Sequence, residues 1–279
     1  MITEKGNASG SAFKFPNTVY NAAGGYLSIC SGIKGYNVTV TNGAQSGLAS
    51  MAYAMSVLRS GQENAMLATG SDENSDIMTE LFGKLGVTSE KVVAPFAGND
   101  GFVLSDGSAS VLIEDEKAAK ERGARIYCHA SGYGMAHSSV KFGTLTGSEA
   151  GLTNAVNNAL ADAGMTIDDI DAVFGFANGM KAVDDVEIKG LTAVFGDKLA
   201  EKPVVELKEV LGESRAAAAT TAAAHAALMF AGKIPSQEAY SIAADGSVSK
   251  TNVEASKLNN VLVAAYGAGG SYTAIVLSK

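Results

Sequence analysis

The sequence predicts an α/β fold made of a duplicated layered module. Short apolar runs alternate with small-residue helices, the order of elements repeats between the two halves, and 32 of the 279 residues are glycine. In the first half, the β-branched run at residues 37–41 reads as a strand. A small polar turn follows, and residues 47–61 read as a helix of small side chains, as where a strand feeds a helix N-terminus. Strands at 64–70 and 107–114 complete the pattern, the second leading into a charged helix. The second half returns to the same order: strand 204–207, helix 215–232, strands 260–266 and 271–277. It carries more ahead of that repeat, namely strand 125–133, an amphipathic helix over 149–164 set by Leu152, Val156 and Leu160 at every fourth position, and strand 172–176. Only the segment 13–32 precedes the pattern in the first half. The expected halves are therefore 1–123 and 124–279, the first incomplete at its N-terminus. An absent strand–helix unit would leave apolar surface for a partner or an upstream polypeptide to cover. The alternative is a leader at residues 1–12 on a smaller fold.

Hydrophobic residues make up 47% of the chain, enough for a substantial core, and the lack of Trp beside long alanine runs predicts helices lying close against sheets. A net charge of -8 excludes partners that need concentrated Lys and Arg, namely nucleic acid and anionic membrane. Cys30 and Cys128 have neither metal-ligand spacing nor a disulfide framework, and both read as small buried apolar residues. No run reaches the roughly 18 apolar residues of a membrane span, and the first residues lack a signal-peptide pattern. The expected compartment is the cytoplasm, with no metal and no cofactor.

Several stretches share order and spacing with one family. They are Phe15-Pro16-Asn17-Thr18-Val19, Gly32-Ile33-Lys34-Gly35, Asp100-Gly101-Phe102-Val103 with Asp106-Gly107, and Gly132-Tyr133-Gly134-Met135. In these the chain resembles the β-ketoacyl-acyl-carrier-protein synthases, the ketosynthases of fatty-acid and polyketide synthesis. The resemblance covers nearly the whole chain. It implies a thiolase-like fold, a duplicated α/β/α/β/α layering, with roughly the first quarter to third of the usual family chain absent.

The resemblance also implies a catalytic Cys and two His, and none of the three stands where it is expected. Counting without gaps from Gly35 to Gly70 places Ala44 at the cysteine position. Asp184 and Glu187 match the spacing of the second motif, and counting back places Phe176 at the first histidine. Lys208 matches the family's lysine, but Glu213 occupies the second histidine position. Alanine is no nucleophile, phenylalanine donates no hydrogen bond to a developing enolate, and an ionised Glu213 repels that charge. Lys208 is expected to pair with Glu213 in place of the lost polar network. The loop Tyr266-Gly267-Ala268-Gly269-Gly270 resembles the family's gating and oxyanion loop, with Ala268 where a Phe would close the acyl pocket. Because it leads from a strand into a strand, the loop does not read as a phosphate site.

Other marked residues read as structural. His129, His137 and His225 lie at no family catalytic position, and His225, in an alanine-rich helix, reads as a packed imidazole. Asp184 and Glu187 read as loop-holding groups. Gln45 lies one position beyond the site where chain-length factors, the inactive partner subunits of aromatic polyketide synthases, carry glutamine. The expected function is a non-catalytic, chain-length-factor-like subunit pairing with a Cys-bearing ketosynthase as a heterodimer, or with itself as a homodimer. It would meet an acyl carrier protein and help shape the acyl pocket, with residues 37–41 free to pair edge to edge with the partner. The alternative is an authentic β-ketoacyl synthase or malonyl-carrier-protein decarboxylase with a shifted site, or a fragment of one.

Overall fold

The structure, a computed structural model, describes residues 14–141 and 147–279. The chain groups into two compact units, Met1–Thr41 and Asn42–Lys279. In the first, a turn at Phe15–Thr18 precedes helix α1, Ala22–Ser31, which stops where Gly32 adopts left-handed geometry at φ 66°. Asn37 Nδ2 donates to Gly24 O at 3.0 Å and ties the following chain back to α1. Residues 37–41 are not a strand among the described residues. A β-branched run becomes a strand only where a neighbour completes its hydrogen-bond ladder, and none does here.

The second unit begins with helix α2, Ser46–Arg59, followed by β1, Ala65–Asp72, helix α3, Asp76–Lys84, β2, Gly107–Glu114, and helix α4, Glu116–Glu121. Then come β3, His129–His137, helix α5, Glu149–Ala163, β4, Ala172–Phe174, helix α6, Lys181–Phe195, β5, Val204–Val205, and the short helix α7, Lys208–Leu211. Helix α8, Ala216–Phe230, leads into β6, Ser236–Ile242, β7, Val248–Glu254, β8, Asn260–Gly267, and β9, Ser271–Ser278. The strand expected at 125–133 starts later, at His129, where Ser278 of β9 first pairs with it. The strand expected to reach residue 176 ends at Phe174; Gly175 N still donates to Val205 O of β5 at 3.0 Å, while Phe176 N turns to a side chain, Glu187 Oε2.

β1 and β2 form an antiparallel pair, and the other seven strands form one sheet in the order β3-β9-β8-β4-β5-β6-β7, parallel only at β8-β4-β5. The period-2 alternation of the central strands supplies both faces of this sheet. Val263, Ala265, Ile275 and Leu277 face Leu48, Met51 and Met55 of α2 and Ala222, Ala226 and Met229 of α8. Leu262, Ala264, Ala274 and Val276 face Leu152, Val156 and Leu160 of α5 and Leu191 of α6. The layers thus run two-stranded sheet, α2 with α8, seven-stranded sheet, α5 with α6. The remainder of the expected first half and all of the second share this unit, because α8 packs on β1 and β2 as well as on the large sheet.

Glycine sets the closeness of two of these contacts. A Cβ on Gly47 of α2 would lie 2.2 Å from both Ala216 O and Thr220 Oγ1 of α8, and one on Gly70 of β1 would lie 2.3 Å from Ala216 O. On the far face, a Cβ on Gly134 of β3 would lie 2.1 Å from Ala155 O of α5.

Candidate functional site

The turn Gly43–Gln45 enters α2 as expected, and its geometry is fixed locally: Asn42 N donates to Ser46 Oγ at 2.8 Å and Ser46 Oγ donates to Gly43 O at 2.6 Å. Gln45 is buried, and Thr273 Oγ1 of β9 donates to its Oε1. The Gly267–Ala268 backbone passes beside this turn, since a Cβ on Gly43 would lie 3.8 Å from Gly267 Cα and 4.0 Å from Ala268 N. Ala268 itself is exposed, at the tip of the β8–β9 turn that Gly269 (φ 108°) and Gly270 (φ 90°) make possible.

Ala44, Gly175, Phe176, Lys208 and Tyr266 line one pocket, closed by alanines of α8 and β8. Its free volume is about 10 Å³, room for about one water molecule. Aromatic rings fill the rest: Phe176 packs on Tyr266 with centroids 5.8 Å apart, and Tyr266 on Tyr272 at 5.1 Å. Burial pushes the Tyr266 phenol upward, so it stays protonated at neutral pH. Neither cysteine and none of the three histidines lines this pocket. Cys30 is exposed on α1, contrary to expectation, because that helix buries none of its residues. Cys128 is half-buried, and burial pushes its thiol up to about 11. The His225 ring packs on Phe174 at 6.1 Å, with burial lowering its basicity, as expected of a packed imidazole.

Glu213 joins the pocket through Lys208. Lys208 Nζ donates to Glu213 Oε2 at 2.7 Å and to Phe176 O at 3.0 Å, with the two side chains 12% and 5% exposed. Asn178 Nδ2 donates to the same Glu213 oxygen at 2.9 Å, and Arg215 N donates to the other at 2.9 Å. Arg215 takes the left-handed backbone (φ 48°), and its guanidinium clasps Asp72 of β1 through Nε at 2.9 Å and Nη2 at 2.5 Å. Lys208 has no freedom to act elsewhere while this network stands.

Asp184 lies at the start of α6 and holds a loop. Its oxygens accept from Phe96 N at 2.7 Å, Asn178 N at 3.0 Å and Gly179 N at 3.2 Å. Burial raises its carboxyl above the usual range against the pull of these three bonds. Glu187 Oε2 accepts from Phe176 N at 2.8 Å, pinning the residue that fills the pocket.

Glu206, which no motif in the sequence marks, is buried against Glu187. A Cβ on Gly175 would lie 1.8 Å from Glu187 Oε1 and 2.0 Å from Glu206 Oε1, so the two oxygens converge over that glycine. Burial, then the Glu187 charge, raises Glu206 well above the ordinary carboxylate range, and Glu187 is raised by burial. Four carboxyl groups (Asp184, Glu187, Glu206, Glu213) lie around the Lys208 cation, and a proton shared between Glu187 and Glu206 is the expected way to relieve the excess charge. A carboxyl raised in the folded state stabilises fully below its unfolded pKa, near pH 4.5, and that stability is lost as pH rises through the folded value. Glu206→Gln keeps a donor and removes the titration. Thermal melts from pH 5 to 8 should show the variant gaining on the wild type as pH rises, and a constant difference would refute the shared proton.

The family model described as "Beta-ketoacyl synthase, N-terminal domain" matches residues 1–119, and "Beta-ketoacyl synthase, C-terminal domain" matches residues 127–241. The chain belongs to the β-ketoacyl synthase family. The 3-oxoacyl-[acyl-carrier-protein] synthase 2 of Vibrio cholerae is 30% identical over 204 residues, 70% of this chain and 49% of that synthase. The chain thus spans about half the length of the curated synthases it matches. Among solved structures, the ishigamide ketosynthase/chain length factor superposes with a TM-score of 0.82 at 24% identity, over 94% of this chain and 65% of that one. A type II polyketide synthase acyl-carrier protein in complex with its ketosynthase, bound to the hexaketide, gives 0.85 at 20% identity, over 98% and 72%. These likenesses establish the thiolase-like fold of the ketosynthases.

Proposed function

We propose that the chain is a non-catalytic ketosynthase-like subunit that pairs with a Cys-bearing β-ketoacyl synthase in fatty-acid or polyketide synthesis and helps shape the acyl pocket of the pair. The observation that carries this reading is the filled site. Ala44 stands at the helix start, Phe176 plugs the pocket, and Glu213 holds the Lys208 ammonium at 2.7 Å. A helix N-terminus without a nucleophile and a pocket of about 10 Å³ offer an acyl chain neither a point of attachment nor room. Structural neighbours described as a ketosynthase/chain length factor and as a ketosynthase with its carrier protein support a ketosynthase and an acyl carrier protein as partners. In this reading the halves 1–123 and 124–279 are two thiolase-like modules, Asp184 and Glu187 are loop-holding groups, and residues 37–41 offer backbone for pairing. The Gly267–Ala268–Gly269 turn is an oxyanion loop without its gate, and the site of action is the cytoplasm. No helix among the described residues is long and apolar enough to cross a membrane.

A second reading, an authentic synthase or decarboxylase with a shifted site or a piece of one, draws on one observation. The converging carboxyl groups of Glu187 and Glu206 sit behind Gly175, in the pocket wall. Native mass spectrometry separates the two. The chain is measured alone and with a cysteine-bearing ketosynthase from the same genome, after incubation with malonyl- and acyl-loaded carrier protein. A mixed dimer with no acyl adduct on this chain, and no malonyl loss when it is alone, is the expected result. An adduct, or decarboxylation by the chain alone, would establish the second reading instead.

A further inference from the structure

Two ionisable side chains hold the backbone of the residue that fills the pocket. Phe176 N donates to Glu187 Oε2 at 2.8 Å, and Phe176 O accepts from Lys208 Nζ at 3.0 Å. One residue earlier, Gly175 N donates to Val205 O, next to Glu206. The seating of the Phe176 ring therefore depends on the charges of these side chains as well as on its packing against Tyr266.

Glu187 and Glu206 are 0% and 4% exposed, and Glu187 Oε1 and both Glu206 oxygens meet no hydrogen-bond donor among the described residues. Glu187 Oε1 and Glu206 Oε1 converge over Gly175, which has no side chain to part them. Ionised carboxylates only accept, so two of them here would leave buried oxygens unmet and like charges side by side. A single proton turns Glu206 into a donor with Glu187 Oε1 within its reach. The surroundings offer little other compensation. Asp184 adds a carboxyl from α6 and Glu213 another from the turn before α8. Lys208 of α7 favours ionisation of both members of the pair, but Glu213 already holds it at 2.7 Å. The Arg215 guanidinium is clasped by Asp72, and Tyr240 of β6, opposite Val204, donates to Glu209. Tyr266 of β8 stays protonated, and His225 of α8 packs on Phe174 with burial favouring its neutral form.

We propose that Glu187 and Glu206 form a proton-operated latch on the pocket: with one proton held between them Phe176 stays seated, and with that proton lost the ring is released and the pocket opens. Separation is the relief open to two like charges in a dry wall. Glu187 cannot move without loosening Phe176 N. The turn that carries Glu206 cannot move without disturbing Gly175 N or Lys208, two residues on. Either movement loosens the plug, so room for an apolar ligand increases as pH rises. The latch rests on the geometry of the pocket and not on the absence of catalysis.

Hydrogen exchange of the Gly175 and Phe176 amides tests this at about pH 6 and about pH 9, in wild type and Glu206→Gln, with each rate corrected for the intrinsic effect of pH. Glutamine keeps a donor toward Glu187 and cannot ionise. Between the two pH values wild type should lose protection at these amides at least about tenfold and Glu206→Gln less than about twofold, while the amides of β8 and β9 hold in both. Benzene, which needs an apolar cavity larger than one water molecule, should raise the Tm of wild type at about pH 9 alone. Equal changes in the two proteins, or no change in either, would overturn the latch, as would a general loss of protection that includes β8 and β9. Loss of protection without benzene binding would overturn it too, because the ring would then have stayed seated, and so would benzene binding at both pH values.

Discussion

Glu213→Ala should destabilise the protein by about 3 kcal/mol, because it strands an ammonium that the fold has taken out of water. Lys208 is 12% exposed, and its other hydrogen bond, to Phe176 O, is to a neutral carbonyl. The same change leaves Asn178 Nδ2 and Arg215 N without their acceptors, the second at a residue already in left-handed backbone. Removing both charges should cost much less than removing one, since a buried ion pair repays little more than its own desolvation. Urea unfolding of Glu213→Ala, Lys208→Met and the double variant Lys208→Met/Glu213→Ala gives the coupling directly. We expect a coupling of about 3 kcal/mol, since a double variant that costs less than either single one requires a coupling at least as large as one single loss. Additive losses would mean that the pair contributes only through its separate contacts. Asp184, Glu187 and Glu206 all sense the Lys208 charge, so loss of the lysine alone should also raise the proton demand of the cluster.

Gly47→Ala is the second large effect. The new Cβ would lie 2.2 Å from a backbone carbonyl oxygen of α8, and a carbonyl inside a helix cannot swing aside as a flexible side chain can. Relief requires α2 to move away from α8 and β1, opening the core that Leu48, Met51 and Met55 fill. The cost should be about 3 kcal/mol or more, a fall in Tm of roughly 6–10 °C. The Thr220 Oγ1 that the new Cβ would meet is buried and has no hydrogen-bond partner. Gly83→Ala in α3, with nothing within 4 Å of the added Cβ, is the control and should be neutral or stabilising by under about 1 kcal/mol. Equal melting temperatures for the two variants would show that α2 is free to shift.

Strong local periodicity made α2, α5, α8, β8 and β9 legible in the sequence, because each shows one uninterrupted apolar face or run. Helix α6 escaped notice because its buried face carries Asp184 and Glu187 among Val183, Val186 and Leu191, so the apolar stripe is broken by the residues that hold the neighbouring loop. The β6–β7 hairpin was marked only by Asp245-Gly246 between two polar, half-exposed runs, and a turn signal of that kind was there to be used. Residues 37–41 have the composition of a strand, but composition supplies no partner. The convergence of Ala44, Phe176 and Lys208 on one pocket was readable from motif order. Glu206 was not: a glutamate closing the apolar run Val204-Val205 looks like a strand end, and only the third dimension sets it against Glu187.

The contact of β3 with α5 has a consequence for heredity. A Cβ on Gly132 would lie 2.6 Å from Ala159 O, and one on Gly134 2.4 Å from Ala159 N, so the helix rests on the bare backbone of the strand. The helix meets it with Ala155, Ala159 and Ala163, one small residue at every fourth position. Neither side of the seam can enlarge unless the other retreats, and glycine has nothing left to give up. Lineages that keep this fold are therefore confined at five positions at once, and the alanine and glycine content of the chain becomes an inherited constraint rather than a neutral habit of composition.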